Sequence, residues 1–448
     1  MHLRKTRLAA LAGIAALALT ACGGSSTTTT SSSAAAPAGS AASGSAAASS
    51  APAAGGDTAG ASAAPQGSTA GTLTIWADNL YAPAMKPIAA QFAADNGVTV
   101  NVETIAANLQ TQFVTASQAG TGPDLVMGAH DWIGNLVQNG AITPIPMTDA
   151  QKAAFLPTAI QGVTFNGQIY GVPYAVENVA LYRNTTLAPD APATIEDLVT
   201  TGEALKTAGK TSEVLALPIG PNGDAYHMYP LFTSAGGNVF GKTPDGQYDP
   251  KQLELGTPEA AAAMTKIAAL GETGQNVLKR SISGDNLVSL FTDQKSPYMI
   301  SGPWNLDAVK KSGVPYAISP VPGFAGMAPA SPFIGVQAMY IAAKGQNLAL
   351  AQEFATNYFP TVEVATQLFQ AQHRPPALKA VYEQVAASDP DIKAFIEAGQ
   401  NGQIMPSITA MALTFDPWGK ADAAIIGGAD PTSTMTDTAA AIQAQIGG

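Results

Sequence analysis

An α/β fold in two lobes, with mostly parallel sheets, is what the sequence predicts, and three observations carry that prediction. Short apolar or alternating runs recur between helical stretches, so strand and helix alternate along the chain. Gly97 and Gly140 stop two helical stretches, and Pro360, Pro375 and Pro390 punctuate later ones. The folding part is roughly 375 residues long, beyond the size at which a single core keeps growing, so it divides.

The first 70 residues belong to neither lobe. Arg4, Lys5 and Arg7 precede an apolar run from Leu8 to Leu19. A spanning helix needs roughly 20 apolar residues, so this run is too short to cross and stay. A basic start, a short apolar core and small residues before a cut site make a secretory signal, residues 1–21. Cys22 is the only cysteine among 448 residues. From Gly23 to about Ala70 the chain is almost entirely Ser, Thr, Ala, Gly and Pro, with Asp57 its single charge. Such a segment buries too little apolar surface to offset the entropy of ordering, so 22–71 reads as a tether. The same composition suits an O-glycosylated stalk and does not decide between the two.

The elements then follow in order. Leu73–Trp76 is a short strand, and Met85–Asp95 is helical up to Gly97. Val98–Thr104 alternates at period two, and Asp124–Met127 has the continuous apolar character of a buried strand. A helix from Asp131 to Asn139 stops at Gly140. Thr194-Ile195-Glu196-Asp197 has the form of a capping box opening a helix through Ala208. Pro297–Ser301, Tyr316–Val321 and Phe333–Ala343 read as strands, and four helical stretches close the chain.

Charge and composition bound the partners. Once residues 1–70 are set aside, 18 Lys+Arg face 31 Asp+Glu, a net charge of −13. That argues against nucleic acid and against an anionic membrane surface as partners. His130, His227 and His373 stand far apart, without the spacing of a metal site on one helix, so neither a metal nor a cofactor is expected. Aromatic residues recur beside Gly and Pro in three stretches that read as loops: Gly223–Pro230, Gly302–Asp307 and Phe415–Lys420. A pyranose ring offers an apolar face and a rim of hydroxyls, so its receptor needs flat rings together with carboxylates and amides. Glu177, between Val176 and Val179, is costly to bury unpaired, which favours a ligand-facing or hydrogen-bonded role. Asp131 has a plainer role available as the cap of the helix that follows it.

Several of these stretches resemble the maltose/maltodextrin-binding proteins, the sugar receptors of ABC importers. Gly122-Pro123-Asp124-Leu125 with Gly128–Trp132 is similar to the family stretch G-P-D-[IL]…A-H-D. Tyr170–Asn184 is similar to its crossover between lobes, and Ile300–Leu306 to its N-G-P-W segment. Pro332–Ile341 and Gly402–Ile408 complete the series in family order. The four residues Leu19-Thr20-Ala21-Cys22 resemble the bacterial lipoprotein box, in which the cysteine is lipidated and becomes the N-terminus. The alternative is an ordinary signal that removes Cys22.

The resemblance implies a type II periplasmic-binding-protein fold, with sheets flanked by helices and hinge crossovers. It implies a first lobe of residues 72–178 and 324–372, and a second of 179–323 and 373–448. It implies that Asp131 and Glu177 accept from sugar hydroxyls, that Trp304 stacks on the ring, and that Asp224 and Tyr226 contribute from the second lobe. Asp78 is implied as a polar contact from the first loop. The sequence departs from the family at four places. Gly128 stands where maltose binders carry Trp, and Trp132 where they carry Arg. Phe415 takes the position of a second stacking Trp, with Trp418 three residues on, and His227 replaces an aromatic. The resemblance implies an α-glucan ligand, maltose or maltooligosaccharides, and the rearranged aromatic floor suits a longer or differently linked oligosaccharide. Also implied are permease subunits with a cytoplasmic ATPase as partners, a monomer, and a lipid anchor to the outer face of the cell membrane. A glycan-binding surface protein without transport and a carbohydrate-active enzyme are the alternatives.

Overall fold

The computed structural model describes residues 71–447, residue 245 excepted. The signal segment and Cys22, together with the tether up to residue 70, lie outside the described residues.

Alternation builds the first sheet. In Thr72–Ala77 the side chains of Leu73, Ile75 and Ala77 are covered while their neighbours are not. This strand pairs in parallel with Thr99–Thr104 on one side and with Leu125–Ala129 on the other. The connecting helix Ala82–Asn96 buries Met85, Ile88 and Phe92. It stops at Gly97, whose φ of 65° turns its N–H back onto the Ala93 carbonyl.

Beyond these three strands the expectation of mostly parallel sheets fails. Phe333–Ile341 lies antiparallel to both Leu125–Ala129 and Gly171–Glu177, and Gln403–Ile404 adds in parallel to its first residues. The reason is topological. Gly171–Glu177 leads directly into Ala180–Asn184 of the second sheet and Phe333–Ile341 comes back after Tyr316–Ser319 of that sheet, so the two run in opposite directions.

The second sheet is antiparallel throughout: Ala180–Asn184 lies between Tyr298–Ser301 and Tyr316–Ser319. Its alternate residues divide between two cores. Leu181, Tyr298 and Ile300 share one with Leu198, Met228, Phe232 and Met264. Ala180, Tyr182 and Met299 share the other with Phe291, Leu306 and Phe395. Helix Ile195–Thr207 opens on the expected capping box, with the Thr194 side chain accepting from the Asp197 N–H and the Asp197 carboxylate from the Thr194 N–H.

Three other expectations are corrected. The helix from Asp131 begins as a short turn, His130–Trp132, before Ile133–Gln138, and Asp131 makes no capping bond. Gly223–Pro230 is largely the helix Ala225–Ser234, with Asp224 as its cap, and Phe415–Lys420 lies inside the helix Thr409–Ile426. Six α-helices rather than four follow residue 343 among the described residues, because the stretch that Pro390 opens divides again at 399–408 and 427–430.

Candidate functional site

The carboxyl ends of four strands supply the walls of a cleft of about 290 Å³: Thr72–Ala77, Leu125–Ala129, Gly171–Glu177 and Tyr298–Ser301. Asp78, Trp132, Glu177 and Trp304 come from these ends, and Tyr226 joins them from the helix Ala225–Ser234. Ligands of open α/β sheets settle at such strand ends, because loops there are free to vary over a fixed frame.

Glu177 is the last residue of its strand and is 6 % exposed. Register sets its surroundings: Gly335 pairs opposite it, and Gln337 follows two residues on along the same face. Gln337 Nε2 donates to Glu177 Oε1 at 2.8 Å, and Arg374 Nη1 lies 2.7 Å from Oε2. The Arg374 guanidinium is itself between rings, 4.8 Å from the centre of Tyr81 and 5.4 Å from that of Trp304. Burial favours a neutral Arg374, but Glu177 together with Tyr81, Tyr174 and Asp78 outweighs it and leaves the guanidinium more firmly charged than usual.

Asp131 directly precedes Trp132 of the cleft wall. The residue is half-buried, yet Oδ1 is out of reach of solvent and has no hydrogen-bond partner. Burial pushes its carboxyl up to about 7; its own N–H pulls the other way, and the charge of Glu177 adds to the rise. The folded pKa is above the unfolded one, so this group stabilises the fold fully below about pH 4, and the contribution fades as pH rises through about 7. Asp131→Asn is therefore expected to raise the stability of the ligand-free protein at pH 8 by a few kcal/mol. It should leave stability at pH 4 nearly unchanged. Urea midpoints measured across pH 4 to 8 test this, and a variant whose pH slope matches the wild type would refute it.

At the start of the helix Ala225–Ser234, Asp224 Oδ1 accepts from the His227 N–H at 3.0 Å and Oδ2 lies 2.8 Å from His227 Nδ1. Burial alone would raise the Asp224 pKa, but His227 and two backbone N–H groups together hold it below the ordinary value. His227 stands edge-on to Trp304, with ring centres 5.8 Å apart, and to Tyr226 at 5.6 Å. The Tyr226 hydroxyl and His227 Nε2 are buried without a partner. Behind the first-lobe wall, His130 Nδ1 accepts from the Val336 N–H at 3.0 Å, so Nε2 carries the proton and donates to the Met405 carbonyl at 2.9 Å. Burial pushes its pKa down to about 4, which keeps it a neutral brace rather than a charge.

Asp78, Trp132, Glu177, Tyr226 and Trp304 thus line one cleft. Asp131 lies close enough to feel the charge of Glu177, and Asp224 and His227 stand behind the aromatic wall. One oxygen of Asp78 already accepts from the N–H groups of Leu80 and Tyr81, both at 2.9 Å. Phe415 is half-buried against Phe333, away from the cleft wall. Trp418 is a correction: it is 0 % exposed, packed among Tyr229 and Phe232, and cannot reach a ligand in the cleft. Its helix continues through Pro417, so the side chain points into the core instead of standing in a loop.

Sequence reasoning missed Arg374, Gln337 and Tyr81. Gln337 carried a signal, as the lone amide in the apolar run Phe333–Ile341. Arg374 carried none beyond its place before Pro375-Pro376.

Comparison with known proteins agrees with this geometry. Residues 87–394 match the family described as bacterial extracellular solute-binding protein. A galactooligosaccharide-binding protein of Bacillus subtilis (strain 168) is 29% identical over 411 residues, covering 86% of this chain and 92% of its own. A maltooligosaccharide ABC transporter solute-binding lipoprotein of Streptococcus pneumoniae (strain ATCC BAA-255 / R6) is 26% identical, over 77% of this chain and 81% of its own. The solved maltotriose binding protein of Thermus thermophilus, bound with maltotriose, superposes with a TM-score of 0.76 at 28% identity, over 84% of this chain and 100% of that one. The shared fold is the two-lobed, type II binding-protein fold. With strand ends converging on one cleft and a family match across the greater part of its length, the chain belongs to the bacterial extracellular solute-binding proteins.

Proposed function

We propose that this protein captures maltooligosaccharides of the α-glucan type between its lobes and delivers them to the permease of an ABC importer. One observation carries the reading: polar atoms without partners stand in and around the aromatic wall of a single cleft. The Tyr226 hydroxyl is buried and unmatched in the cleft wall, and Asp131 Oδ1 and His227 Nε2 are unmatched next to its rings, Asp131 directly before Trp132 and His227 edge-on to Trp304. A buried polar atom without a partner is costly, so a cleft that collects several of them suits a ligand rich in hydroxyls. Flat rings beside those atoms suit the apolar face of a pyranose. Relatives named for maltotriose, maltooligosaccharide and galactooligosaccharide binding support the same class.

In this reading Asp78, Asp131 and Glu177 accept from sugar hydroxyls, Trp132 and Trp304 stack, and Asp224 and His227 hold the second-lobe ring in place. The lobes are 72–178 with 324–372 and 179–323 with 373–448, closing on the sugar about their crossovers. Binding rather than hydrolysis is favoured by the relatives, which are named as a galactooligosaccharide-binding protein and a solute-binding lipoprotein. Lipidation at Cys22 would keep a monomeric receptor beside its importer, on the outer face of the membrane. Labelling with a fatty-acid analogue tests that step, since Cys22→Ser should abolish it.

Calorimetry against maltose, maltotriose, longer maltooligosaccharides and a galactooligosaccharide tests the function. Binding of the maltooligosaccharides, recovered unchanged afterwards, is the expected result. Preference for the galactooligosaccharide, or turnover of any sugar, would overturn it.

A further inference from the structure

Each of the two tryptophans in the cleft lies on a glycine. Trp132 follows Gly128 by four residues, across the turn His130–Trp132. A Cβ built on Gly128 would stand 2.1 Å from Trp132 Cζ3 and 2.4 Å from Cε3, well inside contact distance. Trp304 repeats the arrangement in the second lobe, where a Cβ on Gly302 would stand 2.0 Å from Cζ3 and 2.2 Å from Cη2. The two settings also match: a strand end, a glycine, a 3-10 turn and the indole, with Pro303–Asn305 as the second turn.

The backbone does not explain either glycine. Gly302 has φ −92° and ψ −176°, an extended conformation open to any residue, and Gly128 is not among the positive-φ glycines. Glycine within a strand costs stability through its freedom in the unfolded chain, and its usual reason there is the close approach of another group. Here the approaching group is the indole ring. Any side chain at residue 128 or 302 takes the place the ring now holds and drives it outward into the cleft.

We infer that Gly128 and Gly302 are positioning residues of the sugar site: each seats one indole, and residue size at these two places sets where the stacking platforms lie. This rests on the sugar-binding reading above, in which Trp132 and Trp304 stack on the ligand. It also accounts for a departure noted in the sequence. A large residue at 132 requires a minimal one at 128, because the two compete for one volume.

The test uses the full-length protein, Gly128→Ala, Trp132→Ala and the double variant. The chain has four tryptophans, so the indole N–H region of an NMR spectrum reads each ring separately. In ligand-free Gly128→Ala one indole signal should move, and maltotriose affinity should fall on the order of tenfold. In the Trp132→Ala background the same substitution should cost nothing further. If Gly128→Ala fails to fold, the double variant should restore folding by vacating the contested volume. Unchanged affinity and spectrum in Gly128→Ala would overturn the inference. So would an equal loss in both backgrounds, or a folding failure that the double variant does not repair. Failure of the wild type to bind maltotriose would count against the proposed function instead, while the shift of the indole signal would still test the seat.

Discussion

Arg374→Met is expected to cost about 3–5 kcal/mol of folding stability, because it removes one partner of a buried ion pair and leaves the other. Arg374 and Glu177 are each 6 % exposed, and Glu177 Oε2 has Arg374 Nη1 at 2.7 Å. Methionine keeps much of the volume between Tyr81 and Trp304 but cannot balance the carboxylate. Adding Glu177→Gln should recover much of the loss, since an amide is far cheaper to bury than an unpaired charge. Denaturant unfolding of the ligand-free single and double variants measures both effects. A loss below about 1 kcal/mol would place the pair in the class of solvated surface bridges and contradict the buried geometry.

Trp304→Ala is expected to weaken maltotriose binding about a hundredfold, as truncation of a central aromatic anchor commonly costs 2 kcal/mol or more. The ring is held on several sides: by Gly302 beneath it, His227 edge-on at 5.8 Å, Tyr226 tilted at 6.2 Å, and Arg374 at 5.4 Å. A ring so constrained loses little freedom when a sugar lands on it, so most of its contact is realised as affinity. Calorimetry gives the number directly. Affinity within threefold of the wild type would remove Trp304 from the platform.

The sequence made some of this legible for reasons that residues show plainly. Glu177 stood out as a carboxylate among Ala175, Val176, Val179 and Ala180, and the fold buries it at a strand end beside its partners. The capping box at Thr194 formed as read, because its two hydrogen bonds are local and need no tertiary context. Strand direction was less accessible. Gly171–Glu177 and Phe333–Ile341 have the same buried, apolar character as a parallel strand, and only the path between lobes makes them antiparallel. Proline misled the reading of the aromatic stretches. Pro230 and Pro417 both sit inside helices, where burial of Met228, Phe232, Met411 and Trp418 outweighs a missing backbone bond. Arg374 was hidden because its partners come from three distant stretches of chain, at Tyr81, Glu177 and Trp304. Gly128 looked like a lost aromatic until the ring of Trp132 was seen lying across it.

A crystal structure of the protein with maltotriose tests the central claim most directly. The account predicts the sugar in the cleft between the lobes, with pyranose rings on the indoles of Trp132 and Trp304. It predicts a ligand hydroxyl donating to Asp131 Oδ1. A maltotriose bound elsewhere, or bound in the cleft with neither indole against a ring and Asp131 untouched, would contradict it.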